Sequence, residues 1–319
     1  MYFKKHWLYI LLILFNLVLA SCTSGQADQE VHDEGQVKIY TTVYPLKDFT
    51  EKIGSPYVNV QSIYPPNVDE HTFEPSQKDM LKIVDADLFF HIGFGLEGFV
   101  NKTKAIMEEE GVKVIAIGEE INPESSLMDF DKNDNEHDDA NHEHGLIDPH
   151  IWIDPIYAKQ MAEQITVHLS EILPEHKDHF QKNMTELEKQ FDDLHEQFHS
   201  VTSQAKHDTI IVSHAAFNYW EKRYGIKQIS IAGLSTAQEP SQKQLQNLID
   251  TVKAEKIKYI LVEQNVSNRL VDVVTNEANL EPLPIHNLAT LTSDDIEKNN
   301  DYFSLMKANL KTLEKALNE

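Results

Sequence analysis

The chain has 319 residues, 52 of them acidic and 28 basic, for a formal charge of −24 at neutral pH. Such a surface repels nucleic acid and anionic lipid headgroups, and it attracts cations only diffusely. One cysteine, Cys22, excludes a disulfide framework and any metal site built on several sulfurs.

In chain order, Lys4 and Lys5 form a basic start, Trp7 to Leu19 is almost wholly apolar, and the run closes in Leu19-Ala20-Ser21-Cys22. This stretch is shorter than the roughly 20 residues a spanning helix needs, so it predicts a signal peptide over 1–21. Leu-Ala-Ser-Cys resembles the lipobox of bacterial lipoproteins, which implies lipidation of Cys22 as the mature N-terminus and anchoring in the bilayer. Loss of 1–21, which holds two lysines and no acids, moves the formal charge from −24 to −26. Residues 22–36 have little to bury and predict a flexible tether.

From Val37 onward, β-rich apolar runs alternate with segments of helical length. The runs are Val37–Thr42, Val58–Tyr64, Leu88–Ile92 and Val112–Ile117, then Thr209–Val212, Gln228–Ile231, Tyr259–Val262 and Leu283–Ile285. Between them lie helical segments such as Ser76–Val84, Ala215–Tyr224, Ser241–Glu255 and Ser267–Ala278, with Ser241 and Gln244 spaced as a capping box. Alternation of this kind predicts parallel sheets covered by helices, and so an α/β chain of two lobes, 37–174 and 207–319. Segment 175–206 joins them. Within it Phe180, Met184, Leu187, Phe191, Leu194, Phe198 and Val201 recur at steps of three or four without Gly or Pro. That is one stripe on a helix of roughly 40 Å, a stiff connector that predicts only limited movement on ligand binding.

Residues 129–148 are acidic, poor in apolar side chains and carry His137, His142 and His144. They predict a solvated surface loop, with weak collection of additional metal ions as its functional reading.

Three more histidines stand in turns after apolar runs or beside prolines. His71 lies in Val-Asp-Glu-His-Thr-Phe-Glu-Pro (68–75), His150 in Asp-Pro-His-Ile-Trp-Ile-Asp-Pro (148–155) and His214 in Ile-Val-Ser-His-Ala-Ala-Phe (211–217). Neutral imidazole is the commonest ligand for a borderline metal ion, and ligands in open α/β sheets bind beyond the carboxyl ends of strands. The three histidines therefore predict a metal site in a cleft between the lobes.

These motifs, with Ile-Ala-Gly-Leu-Ser-Thr-Ala-Gln-Glu-Pro-Ser (231–241), resemble the solute-binding lipoproteins of zinc and manganese ABC transporters, the cluster A-I or cluster 9 family. The likeness covers residues 37–319. It implies two (β/α) lobes joined by one long rigid helix, metal in the interlobe cleft, and delivery of that metal to a membrane permease. It also implies that His71, His150 and His214 are the three histidine ligands. Manganese-type members tend to have a carboxylate at the position of His214, so the resemblance is to the zinc type, with one tight Zn²⁺ site. The implied protein is an extracytoplasmic monomer held at the cell membrane.

One departure concerns the fourth ligand. Relatives commonly place a carboxylate in the turn after the last strand, where this chain has Ala289. Glu70 or water is then expected to complete the site; Glu263 is a further candidate or an outer support of a ligand, while Asp69 and Glu74 read as capping or surface acids. Other readings are a manganese or iron receptor of the same fold, a surface adhesin, and a zinc hydrolase using His195-Glu196-Gln197-Phe198-His199. No repeat, aromatic patch or basic stripe supports an adhesive surface. The H-E-x-x-H spacing falls at the edge of the helix stripe, away from any expected cleft, which argues against an enzyme.

Overall fold

The computed structural model describes residues 35–121, 123, 147–264 and 269–319. The predicted signal peptide, Cys22, most of the tether and His137, His142 and His144 lie outside these residues. The apolar runs become two parallel four-stranded sheets. The first holds β1 (Val37–Thr41), β2 (Val58–Ser62), β3 (Leu88–His91) and β4 (Lys113–Ala116), in the order β2-β1-β3-β4. The second holds β5 (Thr209–Val212), β6 (Lys227–Ser230), β7 (Tyr259–Glu263) and β8 (Glu281–Ile285), in the matching order β6-β5-β7-β8. In each sheet the chain reverses its direction of winding between the first and third strands, which opens a crevice at their carboxyl ends.

Helices α1 (Tyr44–Gly54), α2 (Gln77–Val84) and α3 (Val100–Glu109) follow the strands of the first lobe. Its crevice is filled from within. Glu97, buried, accepts hydrogen bonds from Thr42 Oγ1 (2.7 Å), Ile92 N (2.9 Å) and Gly93 N (3.1 Å). Helices α4 (Pro155–Ile172) and α5 (Lys177–Ser203) then pack against each other, with a 3₁₀ turn at Pro174–His176 between them. In the second lobe come α6 (Asn218–Tyr224), α7 (Gln242–Glu255), α8 (Arg269–Ala278), α9 (Ser293–Glu297) and α10 (Tyr302–Asn318). The Ser241/Gln244 capping box at the start of α7 is formed on both sides.

Helix α6 starts three residues later than the sequence predicts. Ala215 donates its N–H to Gly233 O and Ala216 to His214 O, so the segment after β5 is spent on holding His214 in place. Gly225, with φ 72°, ends the helix in the left-handed region.

The 27-residue α5 explains why the lobes behave as one body. Its buried stripe touches both. Phe180 meets Tyr57 of the first lobe, Phe191 packs edge-on to Phe49 of α1 and against Tyr302 and Phe303 of α10, and Phe198 meets Trp220 and Tyr224 of α6. One hydrophobic core therefore runs along α5 through both lobes, and a smaller one lies between α7, α8 and the second sheet. Truncating Phe191 to alanine, at the centre of this arrangement, should cost about 3–5 kcal/mol. Urea unfolding measures it, and a loss below about 1 kcal/mol would show that the lobes do not depend on this contact. No described helix is long and apolar enough to cross a membrane.

Candidate metal centre

Four side chains from three loops meet between the lobes. Glu70, His71, His150 and His214 each present one ligand atom, and these atoms lie within 4.8 Å of one another. His150 Nε2 stands 3.2 Å from His71 Nε2 and 3.4 Å from His214 Nε2, and His71 Nε2 is 3.7 Å from Glu70 Oε1. Around a tetrahedral ion with bonds of about 2.1 Å, ligand atoms stand roughly 3.4 Å apart. The spacing fits such an ion.

Each loop is shaped by a local device. His214 follows β5 directly, at the second crevice. His150 precedes a 3₁₀ turn, Ile151–Ile153, and the Asp154 N-cap of α4. The His71 loop turns on Asp69, whose Oδ1 accepts from His71 N (2.9 Å), an Asx-type turn. Only the ring of His71 reaches solvent, with a side-chain exposure of 7%; those of His150 and His214 have none.

Carboxylates orient the two buried rings from behind. His150 Nδ1 donates to Asp148 Oδ1 (2.7 Å) and His214 Nδ1 to Glu263 Oε1 (2.6 Å). Protonation at Nδ1 turns both Nε2 atoms toward the centre, the arrangement that makes imidazole a ligand. Ser213 Oγ also donates to Glu263 Oε1 (2.5 Å), and Asn218 Nδ2 to Asp148 Oδ2 (2.8 Å). Glu263 thus stands behind His214, outside the converging four. Replacing Glu263 by glutamine should weaken metal affinity about 10- to 100-fold, read by chelator competition; unchanged affinity would reduce it to a packing group.

The centre is tuned electrostatically. Burial, and then the neighbouring His150 and His214, push His71 down to about 3. Burial and His214 likewise take His150 well below the ordinary histidine value. At His214 burial opposes the charge, but the Glu263 carboxylate outweighs it and raises the ring to about 9. The proton on His214 Nε2 then faces His150 Nε2, where a metal ion would sit. Burial raises Glu70 and Asp148 to about 7 each.

The turn after β8 has no acid, and Ala289 is fully buried with its carbonyl accepting from Tyr44 N. Asn287 of that turn instead donates to Glu70 Oε1 (3.0 Å). Glu70, a first-lobe residue, is thus steadied by the turn of the second lobe. Asp148 was part of the predicted solvated segment, but it is fully buried; the hydrogen bonds to His150 and Asn218 compensate for its removal from water. Glu74 is exposed and pairs with Lys102. His195 Nδ1 lies 3.0 Å from Tyr224 Oη, and Glu196 and His199 are exposed. Among the described residues, the four named above are the one metal-competent group.

Two α/β lobes with parallel sheets, one long helix packed into both and a His/Glu cluster between them define a solute-binding protein of the cluster A-I type. A Zn(II)-bound structure of the ZnuA-like domain of Streptococcus pneumoniae AdcA superimposes with a TM-score of 0.74 at 32% identity, covering 89% of this chain and 100% of that one. The chain belongs to the family described as zinc-uptake complex component A, periplasmic (ZnuA), which matches residues 39–316. The high-affinity zinc uptake system protein ZnuA of Bacillus subtilis is 31% identical over 325 residues, 99% of this chain and 98% of that protein. The zinc-binding lipoprotein AdcA of S. pneumoniae is 33% identical over 312 residues, 97% of this chain; the match spans 60% of AdcA's length. The family consists of uptake components and not enzymes, which disposes of a hydrolase built on 195–199.

Proposed function

We propose that this protein is the lipid-anchored, extracytoplasmic receptor that captures Zn²⁺ and delivers it to the permease of an ABC importer. His71, His150 and His214 hold the cargo through Nε2, and Glu70 supplies the fourth ligand. Residues 1–21 are removed, Cys22 carries the lipid, and 22–36 tether the body 37–319 to the membrane. Its lobes, 37–174 and 207–319, are joined by 175–206. His137, His142 and His144 in the 129–148 segment collect further ions weakly.

The observation that carries this reading is the mutual spacing of the three Nε2 atoms, 3.2 and 3.4 Å from His150 to its two neighbours. Three nitrogens and one carboxylate suit Zn²⁺, whereas Mn²⁺ prefers a site richer in oxygen. Capture begins with loss of the His214 proton to solvent as the ion arrives, after which Glu263 balances the charge from behind.

The test is a competitive Zn²⁺/Mn²⁺ titration of the purified protein. It is run beside the His71/His150/His214→Ala triple variant and a chain lacking 129–148. One zinc per chain, bound in preference to manganese and lost only in the triple variant, is the expected result. Tight zinc that survives the triple substitution would move the site elsewhere and overturn the reading.

A further inference from the structure

Asp69 has two carboxylate oxygens, and they face different lobes. Oδ1 fixes the backbone of His71, as described, while Oδ2 accepts from Thr236 Oγ1 (2.5 Å), 167 residues away. Thr236 lies in the loop between β6 and α7. At its base that loop is tied to the residues on either side of His214: Ala232 N donates to Ser213 O (3.0 Å) and Ala215 N to Gly233 O (3.0 Å). Its tip is closed by Gly233 N to Gln238 O (3.1 Å) and Gln238 N to Ser235 O (3.0 Å). The loop is thus a strap. One end is fastened beside His214, and the other reaches over the cleft to the loop that carries His71.

The placement matters because His71 is the one ligand-bearing ring at the solvent side of the cluster. On its other flank the His71 loop is held by the turn after β8, through Asn67 N to Leu291 O (3.0 Å) and Thr290 Oγ1 to Val68 O (3.1 Å).

The geometry points to Thr236 and Asp69 as a positioning pair that sets how long the metal ion is retained, by strapping the His71 loop to the His214 loop across the cleft. This rests on the metal-receptor reading of the same site and adds to it the contact that governs release. Thr236 touches no metal; it acts through Asp69 and the His71 backbone. A hydrogen bond to a carboxylate is strong enough to hold a loop closed about ten times more often than it would be without it.

The experiment measures the rate at which Zn²⁺ passes from the loaded, purified full chain to an excess of chromophoric chelator in stopped flow. Thr236→Val keeps the side-chain shape and removes the donor; it should release zinc about tenfold faster, with the stoichiometry unchanged at one. Thr236→Ser restores the hydroxyl and should return the rate to within about twofold of wild type. Asp69→Ala should release faster still, and adding Thr236→Val to it should add nothing, because the two share one bond. Wild-type release from Thr236→Val, or rates that multiply in the double variant, would overturn the strap alone. A wild-type chain that takes up no zinc would overturn the metal reading, and the strap with it. Should Asp69→Ala fail to fold, the valine–serine comparison still decides.

Discussion

Replacing His71 by alanine should lower zinc affinity by two to three orders of magnitude while leaving the metal-free fold intact. Zinc bound by four protein ligands gains about 10–16 kcal/mol in all, so one ligand accounts for about 2.5–4 kcal/mol. His71 is the proposed ligand whose loss is least confounded by structure. Its ring lies at the edge of the site, its backbone turn is made by Asp69, and among the described residues no carboxylate is hydrogen-bonded behind it as Asp148 and Glu263 are behind the others. Truncating His150 or His214 would leave a buried acid without its partner and mix stability with binding. Chelator competition gives the affinity, and thermal melts with and without zinc give the control. The metal-free melting temperature should hold while the rise on adding zinc shrinks. Wild-type affinity in His71→Ala would remove it from the ligand set.

Zinc affinity should also climb steeply with pH, and the slope should change near neutrality. The sign follows from which groups hold protons before the ion arrives. His214 is raised to about 9, so below that value each zinc bound must displace its proton, and affinity rises about tenfold per pH unit. His71, at about 3, and His150, well below the ordinary range, are already free and contribute nothing near neutrality. Glu70 is raised to about 7. If it binds the ion, a second proton must leave below that pH, and the slope approaches a hundredfold per unit. Affinity at pH 9 should exceed that at pH 7 by on the order of a hundredfold. In Glu70→Gln the steeper limb below pH 7 should disappear while the limb from 7 to 9 remains. An affinity independent of pH between 7 and 9 would contradict proton displacement at His214. A steep acid limb that persists in Glu70→Gln would assign the second proton to Asp148, raised to about 7 behind His150, and not to Glu70.

Much of this architecture is readable from the order of residues because the physics that builds it is local. The central strands β3, β5 and β7 are buried along nearly their whole length and so need nearly unbroken apolar runs, while the edge strands show weaker ones. Each of the eight runs lies within a few residues of an observed strand. The stripe on α5 is equally plain, since a helix touching both lobes must keep one face apolar from end to end. The converging histidines stand out through their Asp, Pro and Ser neighbours, which make the turns that present them. What supports those ligands is not local. Asn287 reaches Glu70 across 217 residues and Thr236 reaches Asp69 across 167, and no spacing rule connects such pairs. Asp148 is hidden for another reason. It follows a run of acids, so composition assigns it to water, and only His150 and Asn218 on either side show why it is inside. Ala289 is instructive as an absence. A turn without an acid looks deficient until Asn287 is seen holding the acid of the opposite lobe.

The two sheets share one strand order, and each therefore opens one crevice. In the second lobe, Ser213 and His214 follow β5 while Glu263 ends β7, so the crevice backs the metal centre. In the first, Thr42 and the Ile92 and Gly93 amides converge in the same way, but they close on Glu97. The chain has answered those donors with a carboxylate of its own, a permanent internal guest. That occupancy breaks the equivalence of two halves built on one plan. Hydrogen-bond donors of that kind suit an anion and not a metal ion, so the first crevice is closed by its own glutamate while the second, lined by Ser213, His214 and Glu263, backs the His/Glu cluster.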